Sequence, residues 1–180
     1  MMSGDFALEV GRRLGQKVAV CYQCGKCTAG CPMVWDMDLA PNQVVHAVQM
    51  GERELALGCK TIWVCAACET CSTRCPKEFD IARLMNVLRE MSLEARIMHP
   101  DVSDIIDFHL SFLDSVKRHG RTFEPEMIAD YKFRSGHLLQ DVINAVGMLR
   151  RGKLRLLPHT IRGARSVRRI FRECRDRRSP

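Results

Sequence analysis

Apolar residues recur at spacings of three and four along most of the chain. In the longest regular stretch they fall at Ile81, Leu84, Met85, Leu88, Met91 and Ala95. This spacing places them on one face of a helix. The pattern predicts helices over 5–14, 41–50, 52–57, 80–97, 104–119 and 125–149. Because β-branched residues do not alternate with polar ones over any sustained run, we predict an all-α fold.

Helix-breaking residues lie at the ends of these segments. Gly15 follows the first helix, Pro41 suits the first turn of the second, and Gly51 follows its last residue. Pro100 and Gly120 end two later helices. In the first helix, the residues expected to be buried are Phe6, Leu8, Val10 and Leu14. On 104–119, one apolar face is formed by Ile105, Phe108, Phe112, Leu113 and Val116.

Two copies of a C-x2-C-x2-C-x3-C-P run dominate the first half of the chain. The first copy contains Cys21, Cys24, Cys27 and Cys31, followed by Pro32. The second contains Cys65, Cys68, Cys71 and Cys75, followed by Pro76. This run is typical of proteins that hold cubane iron–sulfur clusters through cysteine thiolates. We therefore predict two [4Fe-4S] clusters and a role in electron transfer.

The expected ligand sets cross between the two runs. In two-cluster ferredoxins, the fourth cysteine of each run ligates the cluster held by the other run. Cluster one is therefore assigned to Cys21, Cys24, Cys27 and Cys75. Cluster two is assigned to Cys65, Cys68, Cys71 and Cys31. Such sharing would join segments distant in sequence, so the clusters should also stabilise the fold.

Two other uses of the cysteines fit less well. Disulfides need an oxidising compartment, yet residues 1–19 lack the apolar core of a signal peptide. Structural zinc sites normally take two separated cysteine pairs, without a third cysteine two residues on. Cys59 and Cys174 lie outside both runs and are interpreted as incidental thiols. Trp35 and Trp63 flank the runs and are expected to pack over the clusters.

Charge is concentrated at the C-terminus. The formal net charge is +7, and residues 150–180 hold twelve Arg or Lys against Glu173 and Asp176, which leaves −3 on the remainder. A basic segment of this kind can dock on an acidic protein, contact nucleic acid or an acidic membrane surface, or simply be solvated. It lacks a recognisable nucleic-acid motif, so we do not expect nucleic acid as a partner.

The sequence thus divides into three predicted regions. Residues 1–100 are predicted to form a helical ferredoxin-like domain for two [4Fe-4S] clusters. The helical form is expected because the insert between the runs is longer than in minimal bacterial ferredoxins. Residues 101–149 form a helical partner-docking extension, and 150–180 form a basic tail. Since no apolar run is long enough to span a bilayer, a cytoplasmic protein is expected.

The first run reads Val20-Cys21-Tyr22-Gln23-Cys24-Gly25-Lys26-Cys27-Thr28. This sequence resembles the iron–sulfur C subunit of heterodisulfide reductase. The helical insert and the segment Ile62-Trp63-Val64-Cys65 resemble the same subunit. The resemblance implies a relay of single electrons between a flavin-containing A subunit and a catalytic B subunit, within a hetero-oligomer. Related iron–sulfur subunits carry Cys-Cys-Gly domains or an N-terminal [2Fe-2S] domain. We expect neither here, because no Cys-Cys-Gly motif occurs and the stretch before Cys21 is short.

This chain is therefore interpreted as the relay alone. No motif marks a catalytic acid, base or nucleophile, so no catalytic residue is predicted. Substrate chemistry would then belong to the Cys-Cys-Gly-rich B subunit. The alternative is a freestanding ferredoxin-like carrier, or the iron–sulfur subunit of another anaerobic oxidoreductase, because the paired runs fit those proteins too.

Overall fold

The computed structural model describes residues 3–136, 158 and 160–176. Contacts divide the chain after Val102 into two compact units. The described residues are helical and contain no strand, as the sequence predicts. No helix among them is long and apolar enough to cross a membrane.

The first unit holds seven α-helices among its described residues. They are α1 (Ser3–Leu14), α2 (Lys26–Ala29), α3 (Pro41–Met50), α4 (Arg53–Gly58), α5 (Thr61–Val64), α6 (Thr70–Thr73) and α7 (Ile81–Ala95). Three short 3₁₀ turns accompany them at Val18–Val20, Val34–Asp36 and Pro100–Val102. The predicted helices over 5–14, 41–50, 52–57 and 80–97 match α1, α3, α4 and α7 to within three residues at each end. The four-residue helices α2, α5 and α6 were not predicted.

Helix α3 has clear local causes for both of its ends. Pro41 occupies the first turn, and the Gln43 side chain accepts a hydrogen bond from the Ala40 backbone N–H at 2.8 Å. Gly51 closes the helix with a φ of 76°, in the left-handed region that glycine adopts without strain. The helix therefore begins and ends at the residues that its sequence predicts.

The core of this unit lies where α1 contacts both α3 and α7. Its fully buried side chains include Val10, Leu14, Val44, Val45, Val48, Leu84, Met85 and Leu88. Leu8 is an exception to the prediction, since it is 67% exposed. It lies two residues from both Phe6 and Val10, about 200° away around the helix, so it faces away from the core.

The second unit contains α8 (Ser103–His119), α9 (Glu124–Ser135) and α10 (Ala164–Asp176) among its described residues. Helix α8 contacts both α9 and α10. Ser111 and Ser115 are the buried positions of α8, and the Ser115 hydroxyl accepts a hydrogen bond from the Phe123 N–H at 2.9 Å. Phe112 and Leu113 are 40% and 47% exposed, so much of the predicted apolar face of α8 remains open. The predicted helix over 125–149 corresponds to α9 as far as Ser135, and its part after 136 lies outside the described residues.

Candidate metal centre

The first cysteine run is a left-handed loop that leads into a short helix. Gln23 and Gly25 have φ values of 61° and 77°, and α2 begins directly after Gly25. The four thiols of this run differ in their exposure to solvent. Cys27 is buried, Cys21 and Cys31 are half-buried, and Cys24 is exposed.

The second run repeats this backbone at the same offsets. Ala67 and Glu69 have φ values of 49° and 60°, and α6 begins directly after Glu69. Cys65, Cys71 and Cys75 are half-buried, and Cys68 is exposed like Cys24. Glu69 holds a conformation that glycine adopts at the matching position of the first run, which costs an L-residue about 1–2 kcal/mol.

The repeat extends to the helix that follows each run. On the first run, the Thr28 hydroxyl accepts a hydrogen bond from the Asn42 N–H of α3 at 3.3 Å. On the second, the Ser72 hydroxyl accepts one from the Ala82 N–H of α7 at 3.1 Å. Each pair ties the short helix of a cysteine run to the first turn of the long helix after it.

A second matched pair of contacts lies at the start of each run. Gln49 of α3 donates through Nε2 to the carbonyl oxygens of Val18 and Cys21, at 3.0 and 2.8 Å. Arg89 of α7 donates to the carbonyl oxygens of Ile62 and Cys65. In both halves the acceptors are the first cysteine and the residue three before it. These two holding residues were missed from the sequence.

Cys31 lies with the cysteines of the second run. Cys31, Cys65, Cys68 and Cys71 all line one small cavity. Met33, Met37 and Met85 contribute apolar wall. The Cys31 thiol also lies 4.0 Å from the Met37 sulfur. The structure therefore brings together the four residues predicted to hold cluster two.

Further contacts place the end of the second run beside the first. The pKa of the Tyr22 hydroxyl is raised, chiefly by desolvation. The sulfurs of Cys24, Cys75 and Cys21 raise it further, so Cys75 lies near Tyr22. The Lys77 ammonium lies over the Tyr22 ring at 5.9 Å from its centre. Helices α2 and α6 are also in contact. Cys75 thus lies on the side of the first run.

Gly30 shows how closely these two segments approach. A β-carbon there would lie 2.6 Å from Nη1 of Arg74. Arg74 immediately precedes Cys75, and Gly30 immediately precedes Cys31. The glycine therefore leaves room for the arginine side chain at the crossing of the two runs.

The thiol environments differ in how easily each sulfur ionises. Burial raises the pKa of Cys27, and it raises that of Cys71 to about 11. The pKa of Cys68 is lowered, chiefly by hydrogen bonding to Thr70, whose hydroxyl lies 3.4 Å from the sulfur. Metal binding requires thiolates, so it must displace the proton of each thiol. The cost is greatest at the buried sulfurs, because their pKa values are raised.

A polar network supports the first run. Gln23 donates through Nε2 to the Cys21 sulfur at 3.6 Å and to Oε1 of Gln49 at 3.2 Å. Asn42 donates in turn to Oε1 of Gln23 at 3.3 Å. These contacts connect the cysteine loop to α3 at both ends of that helix.

The approach to the second run is held by Asp38. Its carboxylate accepts hydrogen bonds from the N–H groups of Lys60 and Thr61 at 2.8 and 2.9 Å, and from the Thr61 hydroxyl at 2.8 Å. Desolvation acts to raise the pKa of Asp38, but these hydrogen bonds outweigh it and the pKa is lowered. The ionised carboxylate thereby fixes the start of α5, four residues before Cys65.

The two tryptophans behave differently from each other. Trp63 is buried, and its indole Nε1 has no hydrogen-bond partner among the described residues. Trp35 is 93% exposed, so the prediction that it packs over a cluster is wrong. It lies in the 3₁₀ turn Val34–Asp36, in which no residue is buried. Proximity in sequence to Cys31 did not determine its orientation.

All ten cysteines lie within the described residues and are free thiols. Cys59 is buried, with a pKa raised to about 11 by that burial, and Cys174 is exposed. In the described part of the chain, no three His, Cys, Asp or Glu side chains are gathered closely enough to hold a single metal ion. Cys31 is grouped with the second run because it lines the same cavity as Cys65, Cys68 and Cys71.

Residues 20–80 match the family model of the 4Fe-4S dicluster domain. Both cysteine runs, with α2 to α6, fall within this match. About half of the chain is homologous to curated C subunits of heterodisulfide reductase. The resemblance indicated by the wording of the first run is therefore confirmed.

Three curated relatives illustrate the homology. The C subunit of the H(2):CoB-CoM heterodisulfide,ferredoxin reductase of Methanothermobacter marburgensis is 26% identical over 96 residues, which cover 53% of this chain and 52% of the relative. The C subunit of the Ferredoxin:CoB-CoM heterodisulfide reductase of Methanosarcina acetivorans is 38% identical over 77 residues, which cover 43% and 31%. The iron-sulfur C subunit 2 of the CoB--CoM heterodisulfide reductase of Methanocaldococcus jannaschii is 31% identical over 87 residues, which cover 48% and 46%. The match thus spans about half or less of these relatives.

Proposed function

We propose that this chain is the electron-transfer subunit of a heterodisulfide-reductase-type complex. It would relay single electrons between a flavin-containing A subunit and a disulfide-reducing B subunit rich in Cys-Cys-Gly motifs. The proposal is supported by the names of its homologues and by the 4Fe-4S dicluster match. The observation that carries it is the cavity that Cys31 shares with Cys65, Cys68 and Cys71.

In this proposal eight thiolates hold two [4Fe-4S] clusters. Cluster one has Cys21, Cys24, Cys27 and Cys75 as ligands, and cluster two has Cys65, Cys68, Cys71 and Cys31. When bound, the clusters supply one-electron transfer. The donor set fits them, because all eight sulfurs are free thiols and the fourth cysteine of each run lies beside the other run. Met33, Met37 and Met85 would keep water from cluster two.

The second unit offers a surface for partner proteins of the complex. On α8, Phe112 and Leu113 are 40% and 47% exposed, and on α10 Ile170 is 57% exposed. Exposed arginines accompany Ile170 on α10. Apolar and basic groups together suit an acidic protein surface, because charge steers the encounter while apolar burial stabilises the complex. The protein would then act in the cytoplasm as part of a hetero-oligomer.

Anaerobic purification tests the cluster content directly. We expect about eight irons and about eight sulfides per chain, with signals of interacting [4Fe-4S] centres after reduction. Stoichiometric zinc without iron would refute the assignment.

Co-purification from the native source tests the complex. A flavoprotein and a Cys-Cys-Gly-rich protein should accompany the chain, whereas elution of the loaded chain alone would favour a freestanding carrier.

A further inference from the structure

Gln49 and Arg89 occupy matching places in the two halves of the first unit. Each lies on the long helix that follows a cysteine run, and each donates to two carbonyl oxygens at the start of that run. The two residues also share the same half-buried position within their helices. They differ in charge, because Gln49 is a neutral amide and Arg89 is a guanidinium.

The guanidinium of Arg89 contacts neutral oxygens and lies beside the Cys65 sulfur. Its hydrogen-bond acceptors are the carbonyls of Ile62 and Cys65 and the amide oxygen Oδ1 of Asn86, the last at 2.9 Å. These three acceptors are neutral. The guanidinium charge instead interacts with the sulfur of Cys65, a predicted ligand of cluster two.

Other cations near the runs are more exposed to water. Lys26, Arg74 and Lys77 are all exposed, and solvent and salt screen exposed charges strongly. Arg89 is half-buried and bonded to the backbone of a ligand residue. A charge in that position acts through a lower effective dielectric. Among these cations, Arg89 should therefore distinguish the two clusters most.

We propose that Arg89 raises the reduction potential of cluster two above that of cluster one, where Gln49 provides the same backbone contacts without charge. This inference rests on the proposed cluster ligation. Reduction adds one electron and hence one negative charge to a cluster, and a nearby fixed cation favours the more negative state. An electron that enters the pair therefore resides mainly on cluster two. Arg89 acts as a positioning and tuning residue and is not a ligand.

The test is a redox titration of the whole chain, followed by electron paramagnetic resonance. Arg89→Gln keeps a hydrogen-bond donor and removes the charge. We expect the equilibrium constant for reduction of the higher-potential centre to fall about tenfold, which is about 59 mV for a one-electron couple. Arg89→Lys keeps the charge with fewer donors and should leave that potential close to wild type. Arg83→Gln removes an exposed charge from the same helix and should shift neither centre.

Gln49→Arg identifies which centre responds. It should raise the lower potential and leave the higher one unchanged, so that Arg89→Gln and Gln49→Arg move different centres. The inference is overturned if the loaded Arg89→Gln chain keeps both potentials, if Arg89→Lys shifts as far as Arg89→Gln, or if both substitutions move the same centre. Wild-type protein that lacks iron would instead refute the proposed function. Iron content near eight in each variant confirms that both centres are present.

Discussion

The crossed ligand sets predict which thiols become free when one ligand cysteine is replaced. Replacing Cys31 with alanine removes one wall of the cavity that also contains Cys65, Cys68 and Cys71. If these four hold cluster two, Cys31→Ala should lower the iron content from about eight to about four per chain. The three remaining thiols of that cavity should then become free. Cys75→Ala should produce the same loss of iron but free the thiols of the first run.

Alkylation followed by peptide mass spectrometry measures this outcome at each cysteine. In the Cys31→Ala chain, iodoacetamide should label Cys65, Cys68 and Cys71, whereas Cys21, Cys24, Cys27 and Cys75 should stay protected. Two internal controls come from the structure. Cys174 is exposed and should be labelled in every sample, and Cys59 is buried and should stay unlabelled until the chain unfolds.

The rates of labelling provide a further check. The thiolate is the reactive form, and at pH 8 a thiol of pKa about 8.5 is about one quarter ionised. Cys71, with a pKa of about 11, is about one thousandth ionised at that pH. The pKa of Cys68 is lowered by its contact with Thr70. Cys68 should therefore react faster than Cys71, and the difference in rate should narrow as pH rises toward 11.

The refuting result is specific. If Cys31→Ala frees Cys21, Cys24 and Cys27 while Cys65, Cys68 and Cys71 stay protected, each lesion is confined to its own run. The crossed assignment would then be wrong even though two clusters are present. Loss of all iron in both variants would show instead that neither half holds its cluster alone.

The long helices could be predicted because their causes are local. In α3, Pro41, the valine stripe and Gly51 act over ten residues, and the predicted bounds are those observed. The four-residue helices α2, α5 and α6 could not be predicted in this way. A single turn costs more backbone entropy than its hydrogen bonds return, so such helices form only where tertiary contacts hold them.

The holding residues Gln49 and Arg89 were missed for a different reason. Their role depends on where α3 and α7 pack, which no local pattern records. A signal did exist, because each lies downstream of the first cysteine of a repeated motif. The separations are 28 residues for Cys21 and Gln49 but 24 for Cys65 and Arg89, so a search at one fixed period does not align them.

The remaining predictions concern strain and assembly. Gly120→Ala should cost about 3 kcal/mol, since φ is +77° and the new β-carbon would lie 2.4 Å from Cγ1 of Ile161. Gly136→Ala, with φ +75° and nothing within 4 Å, should cost only about 1 kcal/mol. Hydrogen exchange across α8 and α9 measures the difference, and equal costs would contradict the Ile161 contact. Glu69→Gly removes left-handed strain and should slow loss of iron to a chelator, whereas faster loss would show that the glutamate side chain contributes to the loop. Deleting 154–180 should leave iron content unchanged and weaken binding to the flavin or catalytic partner, because it removes the basic residues and the exposed apolar positions of α10. Raising the salt should weaken the wild-type complex more than the truncated one, because screening acts on charges that only the full chain carries. An unchanged complex with intact clusters would show that this segment is solvated, and cluster loss with unchanged assembly would assign it to the cofactor-binding unit.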